Sequence, residues 1–196
     1  MAGFHDGQGG WGLQGQRGAG LAGAAAGAEA SSVADAASAG ARALRQAFRA
    51  LALRHESLRT VFPRGADGLP TQRILPEREP AWVQEDLHGA GQDTVRQRVQ
   101  ALTQQPFDLE QGPLLRVGLL SESDDTHILV VAMHHIVSDA WSMRVLVDEF
   151  AALYAAACAG QARALPELPV QYADYAAWQT HWLDSPEQAR ELDATV

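Results

Sequence analysis

Hydrophobic residues along this chain follow two periods, one typical of strands and one typical of helices. The run from Ile128 to Met133 is wholly apolar and rich in β-branched side chains. It predicts a strand inside a sheet, covered on both faces. Leu44, Phe48 and Leu51 recur four and three residues apart, with arginines off that stripe. This spacing predicts an amphipathic helix over about residues 41–55.

The remaining elements follow from the same reasoning. Short apolar runs predict strands near residues 57–62, 72–75, 82–86 and 114–120, and helical periods predict helices near 93–105, 142–159 and 172–183. The alternation of strands and helices predicts a mixed α/β fold (α+β layered), with helices packed on one sheet.

Both ends of the chain differ in composition from its centre. Residues 1–40 hold 11 of the 18 glycines and show no sustained apolar period. We expect most of this segment to be disordered, because it has little apolar area to offset the entropy of ordering. The alanines between residues 22 and 39 also allow a weak helix. Residues 41–185 are the predicted folded part, and 186–196 form a polar tail.

Charge and composition exclude several classes of partner. The net charge is −9 and no basic run occurs, so nucleic acid is not an expected ligand. No apolar run approaches the ~20 residues of a membrane span, and the N-terminus lacks the pattern of a secretory signal. These features predict a cytoplasmic protein without a membrane segment.

Two histidines and an aspartate follow the predicted inner strand and are the candidate catalytic residues of the chain: His134, His135 and Asp139. His135 is placed to act as a general base or to hold an attacking amine or hydroxyl, although a structural histidine is the simpler alternative. Neighbouring strand residues point to opposite faces, so only one of His134 and His135 can face a given cleft, and the other must pack or hydrogen-bond behind it. Asp139 either holds the loop as a partly buried carboxylate with a cation or caps the next helix. The spacing of these three residues disfavours a metal site, because it does not match that of zinc enzymes.

Two further groups of residues have both a structural and a functional interpretation. Arg54 and Arg59 lie near the end of the first predicted helix, where a cation is favoured, or one of them reaches Asp139. An aromatic row in the last predicted helix fits packing on a helix face first and a ligand surface second: Tyr172, Tyr175, Trp178 and Trp182.

Four segments together resemble the motifs of one family. Residues 133–142, Met-His-His-Ile-Val-Ser-Asp-Ala-Trp-Ser, are similar to the core motif of condensation domains of nonribosomal peptide synthetases. Residues 54–62, 105–116 and 172–178 resemble further motifs of that family, in family order. The resemblance covers about residues 41–183.

The resemblance implies a fold, an activity and partners. The fold would be the N-terminal subdomain of a chloramphenicol acetyltransferase-like protein, incomplete because the second subdomain is missing. The activity would be amide-bond formation, in which an amine on an acceptor carrier protein attacks a thioester on a donor carrier protein. Both substrates would be attached to phosphopantetheine arms of the carrier proteins, and the domain itself would bind no cofactor or metal.

The resemblance also implies roles for single residues. His135 would be the catalytic histidine, His134 and Asp139 would support its loop, and Arg54 would pair with Asp139. The motif form is similar to the subtype that joins two L-residues. The other motif positions, which would be structural or line the substrate channel, are Arg59, Ala140, Trp141, Ser142, Tyr172 and Trp178.

The chain departs from the family pattern in three places. Ala140 occupies a position that is usually glycine, and we expect weakening rather than loss if its φ is negative. Residues 1–40 match neither the opening motif nor the first strand of the family, and the chain stops where the second subdomain would begin. We therefore expect a condensation-domain fragment with little activity alone. There are two alternatives. One is a non-catalytic or split partner that binds carrier proteins, and the other is a coenzyme A-dependent acyltransferase.

Overall fold

The computed structural model describes residues 10–13, 29–161 and 165–183. The α-helices in this part of the chain are α1 (Glu29–Arg54), α2 (Gln92–Gln104), α3 (Ala140–Cys158) and α4 (Tyr172–Leu183). Two 3₁₀ turns are η1 (Glu56–Arg59) and η2 (His135–Val137). The strands are β1 (Gly10–Leu13), β2 (Thr60–Val61), β3 (Arg73–Ile74), β4 (Ala81–Asp86), β5 (Leu115–Ser121) and β6 (His127–Met133).

The main sheet has the order β1-β6-β5-β4, and β2 and β3 form a separate small pair. β6 pairs antiparallel with both β1 and β5, whereas β4 and β5 are parallel. Val117 lies opposite Val131 across the β5–β6 pair. The apolar run that ends at the two histidines is therefore an inner strand, as its composition predicted.

Helices α1 and α3 pack together over one face of the sheet. Phe48 of α1 stacks on Phe150 of α3 with ring centroids 4.6 Å apart. Beneath them lie Leu51, Leu115 and Met133, which are buried in the same core cluster. The apolar stripe predicted for α1 is the face that this helix buries.

Helix α2 covers the opposite face of the sheet. Its Leu102 is buried against Leu120 and Val130, and alternation along β6 directs Val130 away from the α1–α3 side. A Cβ atom at Gly118 would lie 2.7 Å from Leu102 Cδ1, so the glycine allows the helix to approach the strand closely. The result is three layers, helix, sheet and helix.

The start of the folded part differs from the prediction. Helix α1 begins at Glu29, ahead of the start expected near residue 41 and inside the alanine-rich stretch for which a weak helix was also predicted. β1 lies inside the segment expected to be disordered, where it pairs with the edge of β6. Residues 14–28 and the tail at 186–196 lie outside the described residues.

The segment predicted as a strand at 57–62 is mostly a 3₁₀ turn. Glu56–Arg59 form η1, and Thr60–Val61 alone pair with β3. The Thr60 hydroxyl donates to the Glu56 carbonyl oxygen at 2.7 Å, a local side-chain bond that favours the turn at residues 56–59. Within the described residues, no helix combines the length and the hydropathy that a membrane crossing requires.

Candidate active site

The two histidines lie where β6 passes into η2, and they have different surroundings. His135 is exposed, whereas His134 is half-buried. The ring of His134 meets the ring of Phe107 edge-on, at 6.1 Å between centroids and an interplanar angle of 88°. One histidine is therefore exposed while the other packs against Phe107. Both lie beyond Met133, the last residue of β6, so the turn at η2 and not strand alternation separates them.

Hydrogen bonds determine which ring nitrogen carries the proton in each of the two histidines. The His134 Nδ1 accepts from the backbone N–H of Ile136 at 3.1 Å, so its proton is on Nε2. The His135 Nδ1 lies 3.2 Å from the backbone carbonyl oxygen of Ser138. A carbonyl oxygen can only accept, so Nδ1 of His135 carries the proton. The neutral His135 ring therefore has its lone pair on Nε2, which is the arrangement a general base needs.

Asp139 is the N-cap of α3 and is exposed. Its Oδ1 accepts from the Ser142 backbone N–H at 2.7 Å, and the Ser142 hydroxyl oxygen accepts from the Asp139 backbone N–H at 2.8 Å. This is a reciprocal capping box. The hydrogen bonds from Ser142 hold the pKa of the Asp139 carboxyl below its usual range. Asp139 therefore fixes the start of α3, five residues after His134.

The prediction that Arg54 forms an ion pair with Asp139 is wrong. The Arg54 Nε lies 3.1 and 3.0 Å from the two carboxylate oxygens of Glu149. The His55 Nε2 lies 2.7 Å from Glu149 Oε2. Glu149 is ten residues further along α3 than Asp139, about 15 Å at the helical rise. The end of α1 thus meets the middle of α3 and not its first turn.

A glutamine extends this cluster to the base of α4. The Gln171 side chain donates to the Arg54 carbonyl oxygen at 3.0 Å and accepts from the Glu56 backbone N–H at 3.1 Å. The side chains of Arg54, His55 and Glu149 are each less than a fifth exposed. This cluster links α1, α3 and α4, although nothing in the sequence pattern marked Glu149 or Gln171.

Arg59 has partners of its own close to the turn that carries it. Its guanidinium donates to the Leu75 carbonyl oxygen and, at 3.1 Å, to Glu56 Oε1. The Arg59 Nε is buried and has no hydrogen-bond partner among the described residues. Arg59 therefore holds η1 against β3, and it does not reach Asp139 in this structure.

The first turn of α3 carries three of the motif residues. Ala140 is the first helical residue, so its φ is negative and alanine is compatible with the backbone there. The indole of Trp141 is 77% exposed, while Ser142 completes the cap. Trp141 is thus a large apolar group in solvent, four residues past the end of the turn that carries His135.

A buried arginine lies behind His134, and sequence reasoning missed it. The Arg116 guanidinium donates to the carbonyl oxygens of Leu102, Gln105 and Pro106 at 2.9, 3.0 and 3.2 Å. It also lies 4.4 Å from the ring centroid of Phe107. Burial lowers the pKa of Arg116. Arg116 thus joins the end of α2 to the aromatic ring that contacts His134.

An apolar cavity of about 380 Å³ lies between the sheet and the α1–α3 layer. Met133, Ala140 and Met143 line the part nearest the motif, and Arg144 and Asp148 are its charged residues. His135 is not among the lining residues.

Within the part of the chain that the structure describes, no three side chains of the metal-binding types come together.

The aromatic row of α4 does not pack inward as expected. Tyr172 is 66% exposed and Trp178 is 57% exposed. α4 packs against η1, next to the cluster around Arg54. The sequence predicted the bounds of this helix correctly, but not that its aromatic side chains face solvent.

Comparison with known proteins identifies the relatives of this chain. A family model described as "Condensation domain" matches residues 36–193. Chondramide synthase cmdD of Chondromyces crocatus is 44% identical over 146 residues, which is 71% of this chain and 4% of that protein. Malpinin synthetase of Mortierella alpina is 42% identical over 143 residues, 72% of this chain and 2% of that protein.

Solved structures show the same fold. The epimerization domain from the third module of tyrocidine synthetase B matches with a TM-score of 0.71 and 30% identity, over 79% of this chain and 35% of that chain. The starter condensation domain of rhizomide synthetase RzmA matches with a TM-score of 0.64 and 25% identity, over 79% and 36%. The chain thus spans about a third of the solved domains and a few per cent of the curated relatives. The prediction of a mixed α/β condensation-type fold is confirmed, and the chain belongs to the condensation-domain family of peptide synthetases.

Proposed function

We propose that this chain supplies the N-terminal half of a condensation domain and that, with a second subdomain, it forms amide bonds between two carrier-bound substrates. The observation that carries the proposal is the His135 ring. Its Nδ1 proton is held by the Ser138 carbonyl oxygen, and this leaves Nε2 of an exposed imidazole free to accept a proton.

The reaction follows from that placement. The amine nitrogen of the acceptor attacks the thioester carbonyl carbon of the donor, and the carbon–sulfur bond then breaks. The nitrogen loses one proton and the departing sulfur gains one, so the products are an amide and a thiol. His135 either takes the proton at Nε2 or holds the amine in line for attack. His134 and Asp139 position it, through Phe107 and through the α3 cap.

The substrates and partners belong to the same proposal. Acceptor and donor would arrive on the phosphopantetheine arms of carrier proteins in the cytoplasm, and this chain would bind no cofactor directly. Trp141 and Ser142 lie in the first turn of α3, which follows the histidine turn in the chain, and they would line the path of such an arm. The motif form favours the subtype that joins two L-residues, and the match to an epimerization domain supports the shared fold only.

A hybrid polypeptide tests the proposal. This chain is joined after residue 196 to the second half of the condensation domain that it matches in chondramide synthase, and amide product from two loaded carrier proteins is measured by mass spectrometry. We expect product from the hybrid, loss of at least 100-fold in the His135→Ala variant, and little change in His127→Ala. His127 is the matched control, because it is an exposed histidine bonded to Ser121 at the other end of β6.

Other results would overturn the proposal in distinct ways. A folded hybrid that binds carrier proteins without forming product would identify a non-catalytic partner. Acyl transfer from coenzyme A instead of a carrier protein would identify a coenzyme A-dependent acyltransferase. Amide product from the chain alone would show that the second subdomain is not required.

A further inference from the structure

His134 caps the turn that carries His135 with its own side chain. Its Nδ1 accepts from the Ile136 backbone N–H at 3.1 Å, and its carbonyl oxygen accepts from the Val137 N–H at the same distance. The two bonds that Ser138 donates back into the turn are longer, at 3.4 Å each. Both of these exceed the usual range for a hydrogen bond, so the shape of the turn depends chiefly on His134.

An aromatic ring packs against the imidazole of His134. The imidazole caps the turn only while its Nδ1 is unprotonated and faces the Ile136 N–H. The His134 backbone is fixed, because its N–H donates to the Leu114 carbonyl oxygen at 3.1 Å, but this bond does not restrain the side-chain torsions. The ring of Phe107 lies edge-on to the imidazole, at 6.1 Å between centroids, and restricts its rotation.

Phe107 is itself held on both sides along the chain. The Arg116 guanidinium donates to the carbonyl oxygens of the two residues before it and lies 4.4 Å from its ring centroid. A guanidinium removed from water attracts an aromatic ring at this distance, and Arg116 is buried. After Phe107, the Asp108 carboxylate accepts from two backbone N–H groups at 2.9 and 3.0 Å. The backbone and the ring of Phe107 are therefore both fixed.

We propose that Phe107 is a positioning residue for amide formation and that Arg116 sets its ring against His134. Phe107 holds the His134 imidazole with Nδ1 toward the Ile136 N–H, and the capped turn directs the His135 Nε2 at the attacking amine. Phe107 acts on His135 only through His134. The role of His135 in this proposal rests on the proposed function, whereas the effect of Phe107 on the cap of the turn does not.

Hydrogen exchange of the Ile136 N–H, measured by NMR on the full chain, tests the effect on the turn. Ile136 is exposed, so protection of its N–H depends on the His134 cap. We expect exchange about tenfold faster in Phe107→Leu, which lacks the ring, and within about twofold of the parent in Phe107→Tyr, which keeps it. The Leu87 N–H, which donates to the Ser121 carbonyl oxygen at 2.8 Å, is the internal reference and should not change.

Amide formation by the hybrid polypeptide tests the effect on His135. We expect Phe107→Leu to lower kcat about tenfold with little change in KM, because a misplaced catalytic group slows the chemical step and not substrate binding. Phe107→Tyr should restore kcat. The matched control is Phe150→Leu, which removes a half-buried ring stacked on Phe48 at 4.6 Å and should change neither kcat nor Ile136 exchange. Phe107→Met is a second variant without the ring, with the same results expected, should Phe107→Leu fail to fold.

Three results would overturn the proposal. Unchanged Ile136 exchange in the variants without the Phe107 ring would show that the ring does not hold the cap. Equal losses of kcat in Phe107→Leu and Phe150→Leu would show an effect of stability alone. A raised KM with unchanged kcat would show that Phe107 contacts the substrate. A parent hybrid that forms no amide, together with faster Ile136 exchange in Phe107→Leu, would count against the proposed function and not against the cap.

Discussion

Replacement of Asp139 by alanine should test whether this carboxylate is a helix cap or a partner of an ion pair. The structure gives it one reciprocal pair of hydrogen bonds with Ser142, at 2.7 and 2.8 Å, at an exposed site. Loss of an N-cap costs about 1 kcal/mol. In a domain of this size such a loss lowers the melting temperature by about 2–4 °C, measurable by calorimetry or circular dichroism.

The matched variant is Asp139→Asn, because asparagine caps a helix about as well as aspartate and yet carries no charge. We expect Asp139→Asn to melt within about 1 °C of the parent, consistent with the cap ranking. A buried ion pair with Arg54 would instead make both variants unstable, by roughly 3–5 kcal/mol. Equal destabilisation of the two variants would refute the capping account.

The pH dependence of the same variants gives a second check. Hydrogen bonds from the Ser142 backbone and side chain lower the pKa of Asp139 from its usual 3.8. A carboxyl whose pKa is depressed on folding adds stability above its unfolded pKa and loses it as pH falls through the folded pKa. The difference between the parent and Asp139→Ala should therefore be full at pH 6 and shrink below pH 3.8. A difference that grows on acidification would contradict the assignment.

Two other substitutions should affect stability through buried charge. Glu149→Gln removes the carboxylate that pairs with Arg54 and should lower the free energy of unfolding, measured in urea, by about 2 kcal/mol. Its control, Glu77→Gln at a half-exposed ion pair, should change that free energy by less than about 0.5 kcal/mol. Arg116→Met leaves three backbone carbonyls without their donor and should lower the free energy of unfolding by about 3 kcal/mol. Its control, Arg96→Met at an exposed position, should leave that free energy nearly unchanged. For either pair, a similar loss of stability in the variant and in its control would contradict the assignment.

The sequence by itself determined the elements whose signal is local. The bounds of α4 follow from its residues, and β6 was identified as an inner strand because an uninterrupted apolar run fits burial on both faces. The amphipathic stripe of α1 was correct because residues three and four apart share one face of a helix. The motif around His135 also indicated the family, which the comparisons confirmed.

Tertiary structure alone decided which residues meet. Arg54 pairs with Glu149, 95 residues away, because the packing of α1 on α3 brings the end of one helix to the middle of the other. Hydrophobic periodicity tells which face of a helix is apolar, but it does not tell whether another element covers that face. For this reason the aromatic residues of α4, expected to pack inward, lie in solvent. Asp139 caps α3, which was one of the two roles that the sequence left open.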